Sequence, residues 1–221
     1  MIPVTVIITT SPRPSHPSTR IIDETIASVR EHFPDVGIVI TCDGPIEYGT
    51  PYNDFFRQIV TRRDPVFASL GGHIHQSGMM NMALDVIKTP LILYVEDDWS
   101  ILPNIEWEAL AKTILDGAAN YIRLYAAKRI HPCHEPMMRE RLYLNGVPFV
   151  KTVQFSANPH LASTKWYRKI EEQHLRGKCD YIENILHGPI GGAPWEEYKL
   201  MIYNPEFGDF NRVLHLDGDQ P

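Results

Sequence analysis

Three adjacent carboxylates, Glu96, Asp97 and Asp98, directly follow the apolar run at residues 91–95. Carboxylates this close together repel one another and lose solvation beside a buried strand, so water, a helix N-terminus or a cation must compensate. Mg²⁺ and Mn²⁺ bind carboxylate oxygens together with water and substrate phosphates. The triplet therefore predicts a divalent metal site, with a solvated loop or a helix-capping carboxylate as the alternative.

Polar side chains also end two earlier apolar runs. The run at residues 4–9 ends in Thr9 and is followed by Thr10 and Ser11, and the run at residues 36–41 is followed by Asp43. In open α/β sheets, ligands bind at the carboxyl ends of the strands. We therefore expect these clusters and the acidic triplet to line one edge of a sheet. Ordinary turn chemistry would explain the two earlier clusters equally well.

The elements that must position these residues alternate along the chain. Apolar runs predict strands at 4–9, 36–41 and 91–95, and helical spacing predicts helices at 22–33, 76–87 and 107–115. This alternation predicts an α/β fold with a mostly parallel, Rossmann-like sheet and helices on both faces. Beyond residue 120 we predict strands at 121–125 and 150–155, helices at 164–176 and 181–187, and a loop-rich tail from residue 188.

Composition narrows the possible function. The chain has 221 residues with 43% hydrophobic and 22% charged residues, and without an internal repeat this predicts a single domain over 1–221. The formal net charge is −6 and the 21 basic residues form no block, which argues against nucleic-acid binding. No apolar run approaches the roughly 18 residues of a membrane span. Three widely spaced cysteines predict a reducing, cytoplasmic location.

Residues 4–10, 76–84 and 91–98 resemble, in order and spacing, the nucleotide-sugar-dependent glycosyltransferases of the GT-A fold, especially the family-2-like group. The resemblance implies a nucleotide-binding half at about 1–100 and an acceptor-side half at about 101–221. It implies a nucleoside-diphosphate sugar as donor, with a UDP-sugar favoured, and Mn²⁺ or Mg²⁺ as cofactor. The acceptor would be a hydroxyl of a glycan, a glycoprotein or another molecule.

The resemblance also suggests roles for individual residues. Donor-binding candidates are Thr9, Thr10, Ser11, Arg13, Asp43, Gln76, Asn81, Glu96 and Asp97. Metal-ligand candidates are Asp98, Asp97 and His215. The motif begins with Glu96 where the family often has Asp, which leaves the choice of metal-binding carboxylate open, and Asp98, the last of the three, is favoured. Arg13 has the fork geometry to pair with a phosphate, but it could equally be a surface charge.

Two acidic segments in the second half are candidates for the catalytic base. Trp195, Glu196 and Glu197 resemble a later acidic motif of the family, so Glu196 or Glu197 would take the proton from the acceptor hydroxyl. A first-turn helix carboxylate explains the same residues equally well. Asp209 is another late acid that could face the sugar. The glycines of residues 188–192 predict either a mobile loop over the site or a plain connection.

Two other functions remain open at this stage. A nucleotidyltransferase can share a similar sheet and acidic metal site, but the glycine-rich phosphate loop expected after the first strand is absent. A carbohydrate- or partner-binding module could retain the fold without catalysis. The histidines at 73–75 and 131–135 are interpreted as loop residues, because a zinc site normally shows two separated ligand pairs.

Overall fold

The computed structural model describes residues 2–11, 19–44, 67–204 and 211–216, and for residues 67–71 it describes the backbone alone. Two candidate site residues, Arg13 and Asp209, lie outside these ranges, so their roles stay predictions.

The first half of the chain contains all the strands and helices predicted from the sequence, together with two strands that were not predicted, Phe67–Gly71 and Trp99–Ile101. This half contains β1 (Val4–Thr10), α1 (Arg20–His32), β2 (Gly37–Asp43), β3 (Phe67–Gly71), α2 (His75–Val86), β4 (Leu91–Glu96), β5 (Trp99–Ile101) and α3 (Trp107–Leu115). The second half contains β6 (Tyr121–Arg123), a 3₁₀ helix (Pro132–Met137), β7 (Met138–Leu144), β8 (Val147–Thr152), β9 (His160–Ser163), α4 (Thr164–Ile170), a π-helical turn (Glu171–Leu175), α5 (Ile182–Gly191), α6 (Trp195–Tyr198), β10 (Leu200–Tyr203) and β11 (Val213–His215).

Nine of the described strands form one sheet in the order β3-β2-β1-β4-β9-β6-β10-β8-β7. Strands β3, β2, β1 and β4 pair in parallel. Strand β9 is antiparallel to both β4 and β6, β10 is parallel to β6, and β8 is antiparallel to both β10 and β7. Seven of these nine strands therefore run in one direction, which confirms the mostly parallel sheet.

The central strands carry continuous apolar runs because both of their faces are buried. Val6 and Ile8 of β1 pack on the face covered by α1 and α3, whereas Ile7 packs on the face covered by α2, α4 and α5. Each of these side chains is fully buried, which stabilises the fold by about 1.5–3 kcal/mol per residue. Helices cover both faces of the sheet, as predicted.

Two expectations for the second half are wrong. Residues 188–192 do not form a loop, because α5 continues to Gly191 and buries Ile190 in the core. The described part of the tail from residue 188 is not loop-rich either, because α6, β10 and β11 follow. Strand β10 is only four residues long but is buried throughout between β6 and β8. Among the described residues, every helix is too short or too polar to cross a bilayer.

Candidate active site

Polar ends of three parallel strands meet at the carboxyl edge of the sheet. Thr9 of β1 lies beside Thr41 of β2 and beside Glu96 of β4. Thr10 lies beside Cys42, one residue before Asp43. The register of the strands therefore brings together the three clusters that the sequence analysis singled out.

A cleft of about 210 Å³ opens at this edge, and we call it the carboxyl-edge cleft. Seven of the donor-binding candidates line it, namely Thr9, Thr10, Ser11, Asp43, Gln76, Glu96 and Asp97. Met79 and Tyr181, which no sequence pattern marked, also line it, as does His75, which is the first residue of α2 and not the loop residue expected from the sequence. The N-terminus of α5 thus forms one wall of the cleft, opposite the strand ends.

A larger cleft of about 610 Å³ lies at the opposite edge, between Val4 at the start of β1 and Trp107 at the start of α3. We call it the amino-edge cleft. The larger cavity thus lies at the amino edge of the sheet, whereas the polar side chains converge at the carboxyl edge. We place the candidate active site at the carboxyl edge, because ligands of open α/β sheets bind there and because polar groups converge on that cleft.

Asp97 is held in place by both of its neighbouring elements. Thr10 Oγ1 donates a hydrogen bond to Asp97 Oδ2, and Thr25 Oγ1 of α1 donates to the Asp97 carbonyl oxygen at 2.6 Å. The Asp97 amide donates to the Thr9 carbonyl oxygen at 3.0 Å. The residue is 7% exposed. These contacts hold its carboxylate against the end of β1, in the wall of the cleft.

Burial changes the protonation of Glu96, the first residue of the acidic triplet. Burial, followed by the negative charge of Asp98, raises the pKa of Glu96 to about 8, although Trp99 Nε1 donates to Glu96 Oε2 at 3.4 Å. Glu96 is therefore mostly protonated at neutral pH. Gln76 Nε2 donates to Glu96 Oε1, and Gln76 Oε1 accepts from the Ile182 amide at 3.2 Å. Gln76 thereby joins the acidic strand to the start of α5.

Asp43 fixes the turn that leads into α2. Its Oδ1 accepts a hydrogen bond from the Ile74 amide at 2.7 Å. The flanking residues His73 and His75 adopt left-handed backbone conformations, with φ of 50° and 53°. Such conformations are unfavourable for residues other than glycine, and the Asp43 contact helps to hold them.

Asn81 does not line the carboxyl-edge cleft. It lies six residues after His75, which is about 9 Å along the helix axis. Its Oδ1 is buried and has no hydrogen-bond partner among the described residues. The predicted donor contact of Asn81 therefore stays a prediction.

The last described strand brings His215 to Asp98. Strand β11 pairs antiparallel with β5, which places His215 opposite Trp99 with the ring centroids 4.8 Å apart. His215 Nε2 lies 3.2 Å from Asp98 Oδ2, and the Leu216 amide donates to the Asp98 carbonyl oxygen at 2.7 Å. Two of the three metal-ligand candidates are thus in direct contact.

This pair suits a cation that takes its remaining ligands from water and substrate. Within the described ranges, no group of three histidine, cysteine, aspartate or glutamate side chains is arranged to hold a metal. Mg²⁺ and Mn²⁺ commonly use only one or two carboxylates together with substrate phosphates. The chemistry of the Asp98 and His215 pair fits that requirement, and the imidazole nitrogen favours Mn²⁺ over Mg²⁺.

The structure does not bring Glu196 and Glu197 to the carboxyl-edge cleft. Both are exposed on α6, which ends two residues before β10 begins. Because β10 runs parallel to β6, its first residue lies at the amino edge of the sheet. Trp195 packs locally, donating from Nε1 to the Leu200 carbonyl oxygen at 2.7 Å. Local likeness to a motif could not show at which edge these carboxylates would lie.

Glu183, which sequence analysis did not single out, is a carboxylate of the second half that lies near the acidic strand, two residues after Tyr181 of the cleft lining. It lies in the first turn of α5, one residue after Ile182. Its Oε1 accepts from Ser156 Oγ at 2.8 Å and from the Ala157 amide at 2.6 Å. Its charge also contributes to the raised pKa of Glu96. The start of the helix predicted at 181–187 was the available signal.

The buried histidine His160 supports the end of β1 through Tyr94. Tyr94 Oη lies 2.9 Å from Thr9 Oγ1, and the Tyr94 ring stacks on His160 at 5.0 Å. His160 Nδ1 donates to the Asn158 carbonyl oxygen at 2.7 Å, while its Nε2 accepts from Tyr167 Oη at 2.5 Å. Complete burial lowers the pKa of His160 to about 3, so the ring stays neutral.

No family model and no curated protein matches this chain. Solved structures do match it. TarS 1-349 from S. aureus aligns with a TM-score of 0.56 at 15% identity, over 96% of this chain and 60% of that one. The mannosyltransferase PcManGT from Pyrobaculum calidifontis, in complex with GDP-Man and Mn²⁺, aligns with a TM-score of 0.50 at 14% identity. The alignment covers 76% of this chain and 46% of PcManGT. The bifunctional IspDF from Campylobacter jejuni aligns with a TM-score of 0.53 at 12% identity, over 93% of this chain and 50% of IspDF.

These neighbours include both classes that the sequence analysis considered, since TarS and PcManGT are GT-A-type glycosyltransferases and IspD is a nucleotidyltransferase. The chain spans about half the length of the neighbours it matches. At identities of 12–15%, the similarity shows the fold and leaves the reaction open. The chain has a GT-A-like fold, with the polar cleft at the carboxyl edge of its sheet.

Proposed function

We propose that this protein is a metal-dependent glycosyltransferase that moves a sugar from a nucleoside-diphosphate sugar to an acceptor hydroxyl. The observation that carries the proposal is that Asp97, which lines the carboxyl-edge cleft and is joined to Thr10, is followed directly by Asp98, which lies 3.2 Å from His215 just outside the lining of that cleft. The similarity in fold to PcManGT, which was solved with GDP-Man and Mn²⁺, supports it.

In this proposal the protein holds the donor from both sides. Asp98 and His215, together with Asp97, would hold Mn²⁺ or Mg²⁺, and a cation bound there neutralises charge on the diphosphate leaving group. Thr9, Thr10 and Ser11 offer hydroxyl groups to the nucleotide. Asp43 uses one carboxylate oxygen for the Ile74 amide, and its second oxygen is available to the base or the ribose.

Glu183 is our candidate for the general base, in place of Glu196 and Glu197. Its Oε1 is fixed by Ser156 and Ala157, which leaves Oε2 to accept the proton of the acceptor hydroxyl as that oxygen attacks the sugar. The Gln76 contact to Ile182 holds this end of α5 at the cleft. The acceptor would therefore approach between α5 and the strand ends.

Nucleotide titration tests the proposal directly. We would measure binding of UDP and GDP by calorimetry, with and without Mn²⁺, to the wild type and to Asp98→Asn. We expect binding of one nucleotide that requires Mn²⁺ and is lost in the variant. Failure of both nucleotides to bind under any condition would reject the proposal. The same titration decides whether the donor is a UDP-sugar, as the resemblance implies.

Nucleotidyl transfer is the second candidate, favoured by the similarity to IspDF. It would release pyrophosphate from a nucleoside triphosphate, whereas glycosyl transfer releases a nucleoside diphosphate. Measuring which of the two products forms separates the reactions. A binding module without catalysis would show metal-dependent nucleotide binding but no hydrolysis of any donor sugar.

We also propose a cytoplasmic location and a hydroxyl acceptor on a glycan or glycoprotein. All three cysteines lie in the described residues and none forms a disulfide, as expected in a reducing compartment. Screening acceptors with the donor identified by titration tests the proposed acceptor class. Fractionation of the source cells tests the proposed location.

A further inference from the structure

The amino-edge cleft has the size of a ligand site but no role in the proposed reaction. Its volume of about 610 Å³ lies within the range of roughly 300–1,000 Å³ that is typical of small-molecule sites. It lies at the end of the sheet opposite the acidic triplet, so a ligand bound there does not touch the donor. What it binds can therefore be argued independently of glycosyl transfer.

An aromatic cluster forms one wall of this cleft. Phe33 and Trp107 meet edge to face with ring centroids 4.9 Å apart, and His32 meets Trp107 at 5.6 Å. Trp107 Nε1 and His32 Nε2 are buried and have no hydrogen-bond partner among the described residues. A buried polar atom without a partner costs about 1–3 kcal/mol. Of these two atoms, only His32 Nε2 can accept a hydrogen bond from an ammonium group, when that nitrogen is unprotonated, because the indole N–H is a donor. Aromatic faces of this kind also attract cations.

The charged groups of the lining all have one sign. Asp35, Glu106 and Glu108 line the cleft, all three are exposed, and none of them forms an ion pair within the described ranges. The described lining contains no lysine or arginine. Arg30 lies nearby, but its Nη1 donates to the carbonyl oxygens of Pro34 and Val36 behind the rim.

Helix electrostatics alone do not explain this arrangement. Glu106 and Glu108 flank the first residue of α3, where the helix dipole favours carboxylates. Asp35, however, belongs to the connection between α1 and β2 and not to the first turn of a helix. Three unpaired carboxylates from two separate segments therefore surround one apolar, aromatic cavity.

We propose that the amino-edge cleft binds an organic cation, with an ammonium head near the carboxylates and an aromatic or aliphatic body against Phe33 and Trp107. The carboxylates neutralise the head, and the apolar wall removes the body from water. The aromatic rings add attraction for the cation. This site is separate from the nucleotide site, so neither proposal depends on the other.

The test follows the indole N–H signal of Trp107 by ¹H–¹⁵N NMR, at low salt, with the signal assigned from Trp107→Phe. The probes share a phenyl group and differ in charge: phenethylammonium, 2-phenylethanol and 3-phenylpropionate. We expect phenethylammonium to shift the Trp107 signal and to bind about 10-fold more tightly than 3-phenylpropionate, as three exposed charge interactions allow.

A neutralised cleft and a matched control complete the test. The triple variant Asp35→Asn, Glu106→Gln, Glu108→Gln should weaken phenethylammonium binding by about 10-fold and leave the neutral probe unaffected. Glu24→Gln, an exposed carboxylate on α1 outside the cleft, should change neither. The remaining tryptophan indole signals report whether each variant is folded. The proposal is overturned if no probe moves the Trp107 signal, if all three bind equally, or if the triple variant binds phenethylammonium as the wild type does.

Discussion

The two edges of the sheet carry clefts of opposite character. The cleft at the amino edge is about three times larger, at about 610 Å³ against about 210 Å³, and its lining is mainly apolar. At the carboxyl edge the side chains are joined to one another, as in the contacts of Thr10 with Asp97 and of Gln76 with Glu96. A large cleft can form wherever helices and strands pack loosely at their ends. A catalysed reaction, in contrast, needs polar side chains that are held in fixed positions. The smaller cleft is therefore the better candidate for chemistry.

The strongest test of this comparison is Glu183→Gln. The glutamine keeps an oxygen that can accept from Ser156 and Ala157 but cannot take a proton from the acceptor. We expect kcat to fall by about 100- to 10,000-fold, the usual contribution of general base catalysis, with nucleotide affinity unchanged. Steady-state kinetics with the donor and an acceptor would measure it.

A matched control is Glu172→Gln, an exposed carboxylate after α4. It should leave kcat unchanged. If Glu183→Gln retained wild-type kcat, the acceptor side of the cleft would have to be assigned to other residues.

Asp98→Asn should have the next largest effect. Losing the carboxylate beside His215 would remove a proposed metal ligand, and we expect Mn²⁺-dependent nucleotide affinity to fall by about 100-fold. Calorimetry on both proteins would show it. Glu108→Gln at the amino edge should leave the same dissociation constant unchanged, and equal losses in both variants would abolish the distinction between the edges.

Acid should destabilise the protein through His160, which lies beneath the carboxyl edge. The pKa of this histidine is lowered to about 3 in the folded chain, whereas an unfolded histidine titrates near 6.5. Below about pH 6.5 the unfolded chain takes up a proton that the folded chain does not. Above that pH, the free energy of unfolding therefore keeps the full contribution of neutral His160. Below it, the free energy of unfolding falls by about 1.4 kcal/mol per pH unit, which amounts to about 2 kcal/mol at pH 5.

Urea unfolding of the wild type and His160→Asn at pH 7.5 and pH 5 would measure this effect. The variant should be less stable than the wild type at pH 7.5 but should lose less stability on acidification. An equal loss in both proteins would assign the acid sensitivity to other groups.

The smallest effect is expected from the double variant Glu196→Gln, Glu197→Gln. Both side chains are exposed at the amino edge, away from the carboxyl-edge cleft. Surface substitutions of this kind usually change free energies by less than about 0.5 kcal/mol, so kcat should change by less than about twofold. A loss of 100-fold in kcat would restore the interpretation drawn from the sequence motif and would weaken the case for Glu183.

Much of the first half could be predicted from its sequence because each signal there is local. Strand β4 is a continuous apolar run that ends at a carboxylate, and α3 begins and ends at the predicted residues 107 and 115. Parallel pairing then places the ends of β1, β2 and β4 at one edge, so the grouping of Thr9 with Glu96 follows from topology.

The second half was harder because its elements are short and depend on distant partners. Strand β9 has four residues, begins with the polar His160, and is placed by pairing with both β4 and β6. Without β10, the segment containing Glu196 could not be assigned to an edge. Glu183 was missed for a related reason, since its position follows from contacts of α5 with Gln76 and Ser156 that no spacing reveals.

The contact between Asp98 and His215 joins residues that are 117 positions apart in the chain. During synthesis on the ribosome, β1, β2 and β4 can emerge and pair long before residue 215 is made. Asp98 is therefore synthesised 117 residues before its histidine partner. The contact between Asp98 and His215 can therefore form only after the strands β1, β2 and β4 have been synthesised.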